Sequence, residues 1–335
     1  MYSIGLDISK ASVNVYIPKN ELDLEIDNSV KAFKALYSKL KKLYKKEIDK
    51  VVFVFEPTGN YSTPLHRFCC EKEINSFIIG PKESRNFAKA IAQRNKSDIV
   101  DARVLSKALV IATPDQIQVP IINEPVEEMK ELMTYYKLKL KIRVQLNNHL
   151  ESLKAKQTSI NIIHRIEEEI KLFKKEESSI MEDIYSIVEA DEELINKYNS
   201  ILSIDGVGKV SAIVLLHLFL RYPNANQRQI VSLTGLDPIV RESGTSVRGK
   251  SRISKAGARI YRGTLFMATM SSTLHNEKMK AFYEHLKEKG KHTTVAQIAV
   301  MRKLIIVAHS LYKSGEYYDE NRYKIHTGME LNILK

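Results

Sequence analysis

Five consecutive apolar residues, Val51 to Phe55, run straight into Glu56-Pro57-Thr58-Gly59. A run this short, closed by a turn, reads as a strand buried on both faces, and a sheet hides both faces of a strand only when helices cover each side. The neighbouring segments meet that demand. Alternation of Tyr2, Ile4 and Leu6 with Ser3, Gly5 and Asp7 predicts a strand over 2–8. Val13, Val15 and Ile17 predict a second over 12–18, and a third follows over 21–27. Ser29 then caps a helix that turns Val30, Phe33, Leu36, Leu40 and Leu43 inward and lysines outward. Past the buried strand come a helix over 61–72, a strand over 76–79 and helices over 83–92 and 98–111. Three strands followed by alternating strands and helices make a mixed sheet covered by helices, the α/β class.

From Glu124 to about Tyr198 the texture changes: there is no glycine, and proline occurs only at Pro125. Met129, Leu132, Tyr136, Leu140 and Val144 mark one apolar stripe, and Ile163, Ile166, Ile170 and Phe173 another, which predicts two long helices in a hairpin or coiled coil. Such an arm serves either self-association or spacing between domains. The third region is mostly helical and opens with Ser203-Ile204-Asp205-Gly206-Val207-Gly208-Lys209, apolar helices flanking a glycine turn as in a helix-hairpin-helix. There Gly206, Gly208 and Lys209 are candidates to hold a phosphate on backbone N–H groups. Expected boundaries are 1–120 for the sheet domain, 125–198 for the arm, 199–315 for the C-terminal domain and 316–335 for a loosely held polar tail.

Charge narrows the partners. The 335 residues carry 52 Lys+Arg against 40 Asp+Glu, a formal +12, which favours a polyanion, nucleic acid before an anionic membrane surface. With 44% hydrophobic and 27% charged residues the chain is neither a disordered tail nor a disulfide miniprotein. Val295 to Leu311, the longest apolar stretch, is broken by Arg302-Lys303, so no membrane-spanning helix is expected. A start without a basic n-region and two adjacent cysteines, Cys69 and Cys70, together suggest the cytoplasm.

Four carboxylates stand out by position. Asp7 and Glu56 end strands, and Asp98 and Asp101 share a helix face at i and i+3. Gathered at one sheet edge they would make an oxygen-rich pocket for Mg2+ or Mn2+, and two such ions suit phosphodiester cleavage. Each alone is more simply a helix charge or a solvated face, although that is weaker for Glu56, which after its apolar run needs a cation or hydrogen bonds. In the third region Arg241, Arg248, Lys250, Arg252, Lys255, Arg259 and Arg262 face a single acid, Glu242, over 241–262, and they share the segment with Gly244, Gly249 and Gly257. Phosphate binding follows. Ser243 among them is either an ordinary turn residue or a nucleophile held among arginines.

Taken together, Ile4-Gly5-Leu6-Asp7-Ile8-Ser9-Lys10, Phe55-Glu56-Pro57-Thr58-Gly59, Lys96-Ser97-Asp98-Ile99-Val100-Asp101-Ala102, Ser203 to Gly208, Ser243-Gly244 and Ile253-Ser254-Lys255-Ala256-Gly257 resemble the DEDD transposases of insertion-sequence family one-hundred-and-ten, in order over about residues 1–310. The resemblance implies an N-terminal RuvC-like domain of ribonuclease H fold whose four acidic metal ligands are Asp7, Glu56, Asp98 and Asp101. It implies a coiled-coil segment, and then a transposase domain whose catalytic serine is Ser243, with Ser246 the alternative. It further implies a covalent serine–DNA link, donor and target DNA as partners, a structured bridge RNA that selects them by pairing, a homo-oligomer (dimer or tetramer), and residence at the nucleoid when bound to DNA. Two other readings stand beside it: a RuvC-like nuclease for branched DNA without covalent chemistry, and a non-enzymatic architectural protein.

Overall fold

The computed structural model describes residues 1–93, 98–239, 242–243, 247–248 and 251–322. They divide into two compact units, Met1–Asn123 and Glu124–Lys335.

The first unit is a six-stranded sheet. β1 (Tyr2–Ile8), β2 (Ser12–Ile17) and β3 (Leu22–Asp27) form an antiparallel meander, followed by α1 (Val30–Tyr44), β4 (Val51–Phe55), α2 (Thr63–Glu71), β5 (Ser76–Ile78), α3 (Pro81–Ala90), α4 (Asp98–Lys107) and a two-residue edge strand, β6 (Ile117–Gln118). The strand order is β3-β2-β1-β4-β5-β6, with β1, β4 and β5 parallel. This is the ribonuclease H arrangement that the resemblance implies.

The double burial of β4 divides by alternation. Val51, Phe53 and Phe55 join Ile4, Leu6, Ile8 and residues of α1 and α2 in one core, whereas Val52 and Val54 join Phe77, Ile79, Leu105 and Ala108 in another on the opposite face. Ser29 caps α1 as expected, its hydroxyl accepting from Ala32 N–H at 3.3 Å. Close approach of α4 to the sheet depends on Gly5: a Cβ there would lie 1.9 Å from the Ala102 carbonyl oxygen and 2.6 Å from Ser106 N. Arg103 fastens α4 across β2 and β3, with Nε donating to Asp23 Oδ1 at 3.0 Å and the guanidinium 5.2 Å from the Tyr16 ring centre.

The second unit is helical. α5 (Glu124–Ala155) and α6 (Ile160–Glu189) form a long hairpin, followed by α7 (Glu192–Leu202), α8 (Lys209–Arg221) and α9 (Gln227–Leu233). Four two-residue strands, β7 (Pro238–Ile239), β8 (Glu242–Ser243), β9 (Val247–Arg248) and β10 (Arg252–Ile253), then lead to α10 (Arg259–His275), α11 (Glu277–Glu288) and α12 (Thr293–Ser314). β7 pairs with β10, and β8 with β9.

The arm's stripes find partners within this unit. Met129 and Met133 of α5 and Ile180, Ile184 and Val188 of α6 enter the core built by α8, α10 and α12, whereas Val144, expected inside, is 46% exposed. Among the described residues α12 is the one helix long and apolar enough to cross a membrane, because Arg302 and Lys303 do not interrupt it enough to prevent that. Here it is a core helix: Ala296, Val300, Leu304, Ile305 and Ala308 are buried, and Arg302 Nε donates to the Leu236 carbonyl at 2.6 Å. The start of the tail is anchored rather than loose. Tyr318 N–H donates to Ser203 Oγ at 2.8 Å, and Glu320 Oε1 accepts from Glu277 N–H at 3.3 Å.

Candidate active site

In β1 the residues facing α1 and α2 are Ile4, Leu6 and Ile8, so Gly5 and Asp7 point to the side that α4 covers. In β4 the same alternation places Val52 and Val54 on that side, and Glu56 follows them. The parallel register pairs Leu6 with Phe55, which brings Asp7 and Glu56 to adjacent strand ends on one face. Asp98 and Asp101 occupy the first turn of α4, seated there by Gly5. All four carboxylates line a single cavity of about 520 Å³.

Electrostatics agrees with the geometry. Partial burial, then the charges of Asp101, Asp98 and Glu56, push the Asp7 carboxyl up from 3.8 to about 6, opposed only by a hydrogen bond from the Ile8 backbone. Crowded carboxylates with hard oxygen donors are the donor set that a divalent cation satisfies, so the residues present fit such an ion. The side chains do not form a finished cage: among the described residues no group of three His, Cys, Asp or Glu stands arranged to hold a metal.

Two residues that the sequence reading passed over line this site, and a third is the strand neighbour of Asp7. Arg85 and Lys89, at i and i+4 on α3, line the same cavity. Asn14 lies opposite Asp7 in the β1–β2 register and is only 8% exposed. The available signals were the cationic i, i+4 spacing after β5 and an amide between Val13 and Val15.

In the second unit the expected helix-hairpin-helix is present as α7, the turn and α8. Gly206 sits at φ +90° with no room for a Cβ beside Ser272, Gly208 is the N-cap of α8, and exposed Lys209 is its first residue. Arg252 and Lys255 are exposed around β10, and Arg259 begins α10. Arg262 is otherwise engaged, donating through Nη1 to the carbonyls of Thr234 and Gly257 at 3.0 and 2.6 Å. Gly257 likewise serves internal packing, since a Cβ would lie 1.7 Å from the Leu233 carbonyl oxygen. The backbone of Ser243 pairs with Val247, and that of Arg248 with Glu242. Arg241, Ser246 and Lys250 fall outside the described residues, as do the side chains of Ser243 and Arg248.

Comparison with known proteins covers both units. Residues 4–154 match the DEDD transposase model of the IS110 type, and residues 198–284 match the Transposase IS116/IS110/IS902 family. The pilin gene-inverting protein of Moraxella bovis is 23% identical over 274 residues, covering 80% of this chain and 81% of its own length. Its namesake from Moraxella lacunata is 24% identical over the same coverage. An IS110 insertion-element protein of Streptomyces coelicolor is 26% identical over 132 residues, 38% of this chain and 31% of its own. The chain therefore belongs to the IS110 family of DEDD transposases, enzymes of DNA transposition and recombination whose partner is DNA and whose cofactor is a divalent metal.

Proposed function

We propose that Asp7, Glu56, Asp98 and Asp101 hold one or two Mg2+ or Mn2+ ions and that DNA strands are cut beside them. The observation that supports this most directly is the shared face: the Leu6–Phe55 register and the seat of α4 on Gly5 turn four carboxylates toward one cavity. Bound there, the ions would polarise the scissile phosphate and stabilise the leaving oxygen. Arg85 and Lys89 orient the strand through its flanking phosphates.

In the second unit we assign Ser243 as the nucleophile. Its Oγ gives up its proton as it bonds to phosphorus, the P–O bond to the departing sugar oxygen breaks, that oxygen takes up a proton in turn, and the phosphoserine ester conserves the bond energy for rejoining. Arg241, Arg248, Lys250, Arg252, Lys255 and Arg259 belong to the segment that meets nucleic-acid phosphates, with Gly208 and Lys209 at the start of α8 as a second contact. A bridge RNA chooses donor and target DNA by pairing, while the protein reads its shape and backbone. A dimer or tetramer joined through the α5–α6 arm supplies enough sites for the strands exchanged, and the work is done at the nucleoid. The names of the Moraxella relatives support the recombinase side of this reading.

Glu56→Gln tests it, since the substitution keeps the volume and removes the charge. Strand cleavage with Mg2+ should disappear while the circular dichroism spectrum is retained, and undiminished cleavage would refute the assignment.

A further inference from the structure

The α5–α6 seam changes character along its length. Toward the hairpin tip it is filled by Leu146, Leu150, Ile163, Ile166 and Ile170. One turn earlier it holds a charged pair, Arg143 Nε and Nη2 donating to Glu177 Oε1 and Oε2 at 2.6 and 3.0 Å, with Glu177 only 7% exposed. Desolvating such a pair is a cost that a plain helical seam need not bear. Beside it opens a cavity of about 740 Å³ walled by α5, α6, α7 and the start of α8, within the roughly 300–1,000 Å³ of small-ligand sites.

The lining combines three chemistries. Tyr198 is 1% exposed, and its hydroxyl has no hydrogen-bond partner among the described residues. The half-buried ring of Tyr185 meets it edge-on at 5.6 Å. Lys174 and Lys209 are exposed cations, and Lys209 opens α8, whose N-cap, Gly208, supplies no side-chain acceptor to the first N–H groups. Exposed Glu182 lies two helical turns beyond Lys174 on the same face of α6, about 12 Å along its axis. An aromatic platform, cations beside uncapped N–H groups, and a separate carboxylate acceptor match a base, its phosphate and an exocyclic amine respectively.

We propose that this cavity receives one unstacked nucleotide of a single-stranded nucleic acid, the base against Tyr185 and the phosphate at Lys174, Lys209 and the α8 N-terminus. The inference rests on the nucleic-acid reading above and adds a site that discriminates single strands from duplex. DNA and RNA present the same chemistry here, so both enter the test.

The full-length protein is irradiated with short single-stranded DNA or RNA carrying one 5-iodouracil base, and the adduct is mapped by mass spectrometry. Affinities for the same strands and for a DNA duplex are measured in parallel. An adduct at Tyr185 in either arm supports the site, and the arm identifies the strand. Tyr185→Ala should weaken single-strand binding about tenfold with duplex affinity unchanged, and Tyr185→Phe should retain both. Duplex binding with no Tyr185 adduct, or with single-strand affinity untouched by Tyr185→Ala, overturns this inference alone. Failure to bind either form would overturn the nucleic-acid reading and the inference with it.

Discussion

Replacing Asp7 by Asn should stabilise the metal-free first unit while destroying its chemistry. Folding lifts the Asp7 carboxyl from 3.8 to about 6, chiefly through burial and then through Asp101, Asp98 and Glu56. Between those values the folded chain keeps a proton that the unfolded chain has released. The associated stability is complete below 3.8 and is lost as pH rises through about 6. Without solvent screening this shift corresponds to about 3 kcal/mol. Asp7 is only half-buried, so solvent screening reduces this to about 1–2 kcal/mol. An asparagine holds no charge to disfavour, so in EDTA at pH 8 the variant should exceed the wild type by that amount, and the gain should shrink toward pH 4. Hydrogen exchange of the peptide covering 2–8 reports this unit by itself. Mg2+ should slow exchange in the wild type and leave the variant unaffected. A variant no more protected than the wild type at pH 8, or equally more protected at both pH values, would refute the electrostatic argument.

Gly5→Ala should cost about 1–3 kcal/mol or more by pushing α4 off β1, and cleavage should fall although no functional group is removed; full cleavage by the variant would show that α4 does not depend on this seat. The segment 241–262 should bind DNA through phosphates, so affinity should fall steeply with salt, and a flat response would give these residues another role. Trapping on nicked DNA should yield a covalent adduct mapped to Ser243, whereas attachment at Ser246, or normal recombination by Ser243→Ala, would overturn that assignment. Light scattering of the protein with its RNA and DNA should show a dimer or tetramer, and a monomer would contradict the role given to the α5–α6 arm.

Much of the first unit was legible because its signals are local. The apolar run Val51–Phe55 could only be a strand covered twice, and period-two alternation in β1 fixed which residues face inward. The carboxylates could be selected by their places at strand ends and on one helix face, but their convergence depends on the β1–β4 register and on the Gly5–Ala102 contact, which are long-range. Arg85 and Lys89 escaped notice for the same reason: nothing near them in sequence tells that a carboxylate lies across the cavity. In the arm, evenly spaced residues drift around a helix of 3.6 residues per turn, so Val144 leaves the seam and Leu150 enters it. α9 carried a readable signal in the Asn226–Gln229 capping box. Glycines 206 and 257, expected to admit a ligand, instead admit Ser272 and Leu233. A sequence shows that a backbone must be approached closely, but not by what.

The most direct test of the central claim is a Mn2+ titration of the full-length protein and its Glu56→Gln variant, followed by electron paramagnetic resonance of the free ion. If Asp7, Glu56, Asp98 and Asp101 form the metal site, the wild type should withdraw one or two ions per chain from the free signal, and the variant should bind at least tenfold more weakly, about 1.4 kcal/mol. Equal uptake by the two proteins would place the metal elsewhere and contradict the account.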